Sequence, residues 1–254
     1  MRAGGRIQAA IDVLTTVEAQ HRPVTEVLKD WGNAHRFAGS GDRAAIGNLV
    51  FDALRWRASS AWLMGEDAPR AIVLSVLVHR WGWTVEALAE LLETDTFGPG
   101  AMTDTEREAL QRTDLDAAPD AVRADVPDWA VEHLQATFGA GWVGEAEALA
   151  ARAPIDLRAN LLKAPRDKVV RALSRFGAEP TLHSPLGVRI AAGREFERPA
   201  NVVREPGYQK GWFEVQDEGS QLAVLLAGAM SGEQILDFCA GAGGKTLALA
   251  AELG

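Results

Sequence analysis

Ile235-Leu236-Asp237-Phe238-Cys239-Ala240-Gly241-Ala242-Gly243-Gly244-Lys245-Thr246 decides how this chain is read. Gln234–Phe238 is short and apolar, as a buried strand is. Cys239–Gly244 is a loop of glycines and alanines, and Lys245–Leu253 has the composition of a helix. Strand, glycine loop and helix together form the opening unit of a doubly wound α/β domain. Small side chains let the loop backbone pass close to a ligand and adopt positive φ. The helix start adds free amides and a dipole that favour a polar or anionic group. Asp237 falls at the carboxyl end of the strand, where ligands bind in such folds. Two common nucleotide loops fit poorly. A phosphate-binding loop needs glycine five positions before Gly244, and Cys239 stands there. A dinucleotide fingerprint needs wider spacing than Gly241, Gly243 and Gly244 provide.

Immediately upstream, Phe213–Gln216 reads as a short strand and Asp217–Met230 as a helix, with a turn at Ser231–Gly232. Residues 213–254 are therefore the start of an α/β domain whose single strand and helix cannot bury their own apolar faces. Residues 152–212 form a separate small α/β module. Apolar residues at 155, 157, 159 and 161 alternate as in a strand. Pro165–Phe176 is a basic amphipathic helix closed by Gly177. Pro180–His183 and Val188–Ala191 suggest further strands. The net charge of the chain is −9, yet this module holds 12 Lys/Arg against 6 Asp/Glu. Lys163, Arg166, Lys168, Arg171 and Arg175 crowd one loop and one helix. Such a group can cradle phosphates, or it can be a solvated helix face, and charge alone does not separate the two.

Residues 1–150 read as an all-α domain. Ile7, Ala10, Ile11, Leu14 and Val17 share one helical face, and Asp42–Met64 carries one long amphipathic pattern. Pro69 suits the first turn of a buried helix over Arg70–Arg80, and Thr84 can cap Val85–Glu93. Residues 94–128 are an acidic connection punctuated by Gly98, Pro99, Gly100, Pro119 and Pro127, with one short helix at Thr105–Gln111. Helices Trp129–Phe138 and Trp142–Ala153 follow.

Composition closes several routes. Cys239 is the single cysteine, which excludes an intrachain disulfide and any multi-cysteine metal site. The five histidines are scattered without metal-ligand spacing. No apolar run approaches the roughly 20 residues of a membrane span, and no secretory leader is recognisable. The expectation is a cytoplasmic monomer without metal.

The loop DFCAGAGGKT resembles the D-x-C-A-x-x-G-G-K-T loop of the Sun-type (RsmB-like) RNA cytosine-5 methyltransferases. Trp212-Phe213-Glu214-Val215-Gln216-Asp217-Glu218-Gly219-Ser220-Gln221-Leu222 resembles the family's V-Q-D-x-x-S-Q segment. Ile155–Phe176 is similar to its small RNA-contacting module, and Val126-Pro127-Asp128-Trp129-Ala130 to the helix before that module. Asp42–Val50 and Ala53–Arg57 resemble the helical NusB-like domain of bacterial members. The acidic 94–128 stretch departs from the family, which often has an arginine-rich turn there.

The resemblance implies a three-part chain: the helical domain, the small module, and the beginning of a Rossmann-like methyltransferase domain. It implies S-adenosylmethionine as cofactor, held by Asp237, Cys239, Ala240, Gly241, Ala242, Gly243, Gly244 and Lys245. It implies RNA, above all ribosomal RNA, as partner, met by Arg158, Lys163, Arg166, Lys168, Arg171 and Arg175. The family's chemistry adds a cysteine thiolate to carbon 6 of cytosine so that carbon 5 accepts a methyl group. Those cysteines belong to later Pro-Cys and Thr-Cys segments. Cys239 matches the cofactor-loop cysteine instead, a small residue beside the methionine part of the cofactor or simply a buried small residue. These 254 residues are therefore expected to be inactive alone. Two rivals stand beside this reading: an RNA- or protein-binding module with a degenerate methyltransferase remnant, and a P-loop nucleotide binder.

Overall fold

The computed structural model describes residues 1–254, which separate into two compact units. The first comprises Met1–Ala151 together with Arg194–Arg198, and the second Arg152–Gly193 together with Pro199–Gly254. No helix is long and apolar enough to cross a membrane.

The first unit is helical: α1 Ala3–Gln20, α2 Val24–Ala34, α3 Ser40–Arg55, α4 Arg57–Met64, α5 Pro69–Ser75, α6 Val85–Thr94, α7 Asp104–Leu110, α8 Asp120–Arg123, α9 Asp128–Phe138 and α10 Trp142–Ala150. Ile7, Ala10 and Leu14 of α1 pack with Ile46 and Leu49 of α3, Leu74 of α5 and Leu88 of α6 in one core. That is the periodic face the sequence displays. Thr84 caps α6 as the sequence predicts, its Oγ1 accepting from Ala87 N at 3.1 Å, and Thr103 with Glu106 closes a capping box on α7 that the sequence analysis did not single out.

Two expected helices are interrupted. The pattern across Asp42–Met64 breaks at Trp56, whose backbone (φ −113°, ψ 37°) leaves the helical region. The break is held from outside: Asp125 accepts from Ser59 N at 2.8 Å and from Ser59 Oγ at 2.6 Å, supplying partners to the first turn of α4. The helix expected over Arg70–Arg80 is α-helical only to Ser75 and widens into a π turn over Val76–Arg80. Trp81 follows at once, and its indole N–H donates to Asp52 Oδ2 at 2.8 Å. The segment Arg194–Arg198 completes this unit. Asn48 Nδ2 donates to the carbonyls of Glu195 and Glu197 at 2.9 and 2.8 Å. The Phe196 ring meets Trp81 and Trp83 edge-on, at centroid distances of 4.8 and 6.0 Å.

The second unit contains β1 Ile155–Ala159, α11 Arg166–Ala172, β2 Glu179–Pro180, β3 Gly187–Ile190, α12 Pro206–Gln209, β4 Phe213–Val215, α13 Glu218–Ala227 and α14 Gly244–Leu253. Its four-stranded antiparallel sheet has the order β2-β3-β1-β4, with Leu157 opposite both Val188 and Val215, and Ala159 opposite Phe213. Phe213–Val215, read from sequence as the head of the third segment, is thus an edge strand of the small sheet. Leu157, Ala159, Val188 and Phe213 bury one face of that sheet with Val169 and Leu173 of the α11 region.

Gln234–Phe238 forms no strand. A strand is stabilised by ladder bonds to a neighbour, and these residues have none. Leu236 and Phe238 are accordingly 83 % and 90 % exposed.

Candidate functional site

The glycine loop is a compact turn ahead of α14. Gly243 N donates to Ala240 O at 2.8 Å, and Leu247 N to Gly243 O at 2.8 Å. Gly241 has φ +55° and Gly243 φ +84°, and a side-chain carbon at either would meet nothing within 4 Å. Glycine is therefore demanded by backbone conformation, and the approach to it stays open. No side chain caps α14, so its first amides face outward from Gly243. Asp237 Oδ2 accepts from Thr246 Oγ1 at 2.7 Å, which ties the entrance of the loop to the first turn of α14. Cys239, Ala240, Ala242 and Lys245 are exposed. Exposure of Cys239 corrects the reading of it as a buried small residue. No group of three or more His, Cys, Asp or Glu side chains is placed to hold a metal ion.

Beneath the loop, the segment Gln216–Gln221 forms a buried polar lock. Odd residues of β1 face the apolar core, and the even residues Asp156 and Arg158 point the other way. There they are buried as well, because α13 covers that face. Arg189 donates to both oxygens of Asp156 at 2.7 Å, and Glu218 N donates to Asp156 Oδ2 at 3.1 Å. Gln221 Nε2 donates to Leu157 O at 3.2 Å and Gln216 O at 2.8 Å, while its Oε1 accepts from Ser184 Oγ at 2.7 Å. Glu218 Oε1 accepts from Ser184 N at 2.8 Å and His183 N at 2.7 Å. The Ser184 amide, then the Thr181 hydroxyl, hold the Glu218 carboxyl down at about 2. Amide bonds to the charged form outweigh burial there.

Arg158 does not join the surface cations. It is only 2 % exposed, and its Nε donates to Gln216 Oε1 at 2.7 Å. Burial pushes its pKa down, opposed by the carboxylates of Glu214 and Glu252.

The remaining cations of the basic group lie in a loop and helix of the same unit. Lys163 and Arg171 are exposed. Arg166 is half-buried and reaches Ser184 O at 3.5 Å. Lys168 Nζ stands 3.9 Å over the Trp212 ring, and Lys210 Nζ 5.4 Å from the same ring. Arg175 pairs with Glu205. Arg175, Arg204, Glu205 and Trp212 line part of a recess of about 350 Å³. Lys210 and Arg204 were not singled out in the sequence, and Trp212 entered only as the first residue of the V-Q-D-x-x-S-Q stretch, not as a partner of the basic helix. They come from a connection outside the basic helix, and only the fold brings them to it.

Residues 126–197 match the family model of the RsmF/B-like methyltransferase ferredoxin-like domain. The chain is 31 % identical over 230 residues to the ribosomal RNA small subunit methyltransferase B of Sodalis glossinidius, covering 81 % of this chain and 51 % of that protein. The chain belongs to the RsmB-like family. The protein of the same name in Photorhabdus laumondii is 36 % identical over 122 residues, covering 47 % of this chain and 27 % of that one. This RsmB-like chain spans about half the length of the Sodalis relative, or less for the other. In solved structures, the crystal structure of PH0851 shares the fold over the whole chain and 62 % of its own, with TM-score 0.59 and 18 % identity.

In RsmB-like terms, the V-Q-D-x-x-S-Q string is a lock that holds α13 to the small sheet. Sequence spacing carried its signal, since Gln216, Glu218 and Gln221 recur within two turns of a helix start.

Proposed function

We propose that this chain supplies the RNA-docking part and the first cofactor-binding part of an S-adenosylmethionine-dependent methyltransferase acting on carbon 5 of cytosine in ribosomal RNA. The observation that carries this reading is the open, positive-φ glycine loop set on the uncapped start of α14, with Asp237 at its entrance. The names of the relatives support an RNA methyl-transfer role. When bound, S-adenosylmethionine supplies the methyl group. The chain's own part is to admit the cofactor along Gly241 and Gly243, offer amides at the helix start, and orient Asp237 through Thr246. Lys163, Lys168, Arg171 and Arg175, with Lys210 and Arg204, would meet the RNA phosphates, while Arg158 serves the interior. Gln234–Phe238 would become the first strand of a Rossmann-like sheet once neighbouring strands pair with it, which would cover Leu236 and Phe238.

The test is calorimetric titration of the complete gene product with S-adenosylmethionine. Gly243→Val should abolish detectable binding: it places a branched side chain in the approach and forces a left-handed backbone that costs about 1–2 kcal/mol for an L-residue. Unchanged affinity would sink the loop assignment.

A further inference from the structure

Gln216 holds a buried donor that nothing in the fold uses. The residue is 6 % exposed and sits between β4 and α13. Its backbone is fixed, with N donating to Asp156 O at 3.0 Å and O accepting from Gln221 Nε2 at 2.8 Å. Its side-chain orientation is fixed as well, because Oε1 accepts from Arg158 Nε at 2.7 Å. The other end, Nε2, therefore carries both amide protons, and it is buried with no hydrogen-bond partner. A buried, unsatisfied amide is unfavourable, and proteins leave few without a reason. Its neighbour is the glycine loop: a side-chain carbon added at Gly244, the first residue of α14, would lie 3.8 Å from Gln216 Nε2.

We infer that Gln216 Nε2 is a cofactor-binding donor, and that it takes the carboxylate of the methionyl part of S-adenosylmethionine. This rests on the cofactor reading of the loop and adds a residue to it. Three features select an anionic acceptor over the adenine, the ribose or the ammonium. Nε2 can only donate. The Arg158 guanidinium bonded to Oε1 polarises the amide and places positive charge behind it. The start of α14, ten residues long and uncapped by any side chain, adds its amides and dipole beside the same point. Gln216 belongs to the V-Q-D-x-x-S-Q string, and this contact gives its side chain a task separate from the lock made by Glu218 and Gln221.

The test pairs two ligands on the complete gene product. S-adenosylmethionine carries the carboxylate on its aminocarboxypropyl arm, and 5′-methylthioadenosine keeps the nucleoside, the 5′ sulfur and its methyl group but lacks that whole arm. Gln216→Glu is nearly isosteric, keeps an oxygen for Arg158 Nε, and replaces the donor by an acceptor. It should weaken S-adenosylmethionine about 10- to 100-fold and leave 5′-methylthioadenosine within about twofold, as expected when one charge-assisted bond is lost. Gln216→Leu, checked for an unchanged melting transition without ligand, should show the same selectivity. Equal losses for both ligands, or no loss for S-adenosylmethionine, would overturn the inference. Gly243→Val separates the two readings. If it removes both ligands while Gln216→Glu removes neither, the loop binds the cofactor without Gln216. If Gly243→Val leaves S-adenosylmethionine binding intact, the loop reading falls and the inference with it.

Discussion

Glu218 shows how far a single carboxylate can be committed to structure. Two backbone amides and the Thr181 hydroxyl surround it, and its pKa is held near 2 against an ordinary 4.5. A depressed value means that its contribution to stability is complete above about pH 4.5 and disappears as pH falls through about 2. Glu218→Gln should lower the melting temperature at pH 7 and flatten the acid decline of the variant between those limits. Circular dichroism melts of both proteins from pH 7 to pH 2 measure this, and parallel curves would refute it. The sequence displayed Gln216, Glu218 and Gln221 as a string but hid their direction. Alternation along β1 assigns Asp156 and Arg158 to the face opposite the core, which in a half-exposed sheet means water. Here α13 covers that face, so Arg158 left the surface set for a tertiary reason that no local pattern contains.

Among the elements, those with their own start and stop chemistry were legible. Thr84 and Asp217 mark helix starts that the structure keeps, with Asp217 accepting from Ser220 N at 3.3 Å. Elements that depend on distant partners were not. The break at Trp56 needs Asp125, and Gln234–Phe238, read from its pattern as a strand, forms none without a neighbour to pair with. The basic helix α11 lies between these cases: its amphipathic pattern is local, whereas its pairing with Trp212 and Glu205 comes from the fold. Reversing Lys168, Arg171 and Arg175 to glutamate should weaken binding to ribosomal RNA fragments of any sequence and reduce the steepness of its salt dependence by about two to three phosphate contacts. Filter binding across a potassium chloride series measures both quantities. An unaltered slope would make α11 a solvated face. A second expectation concerns Trp212: its replacement by alanine should weaken single-stranded more than double-stranded RNA, since an indole offers a stacking surface only to unpaired bases.

For the whole molecule, the decisive feature is where the backbone travels. Ala151 ends one stretch of the helical unit, and Arg194–Arg198 returns to it. Phe196 lies edge-on to Trp81 and Trp83, with the Arg6 guanidinium 5.6 Å from its ring. Phe196→Ala should cost the helical unit about 1–2 kcal/mol, less than a fully buried phenylalanine because the ring is only half-buried. Urea unfolding followed by tryptophan emission reads it, and a shift below a few tenths of a kcal/mol would mean that the ring merely rests on the surface. The same itinerary limits how the gene can be dissected. A fragment stopped at Ala151 strands Trp81 and Trp83 without their ring neighbour. A nick at Gly193 removes no residue of the helical unit, since the five-residue return stays joined through Pro199. Limited digestion should therefore give a nicked molecule before it gives a separate amino-terminal piece, and an expression boundary drawn from the linear sequence alone would cut away part of the unit it was meant to isolate.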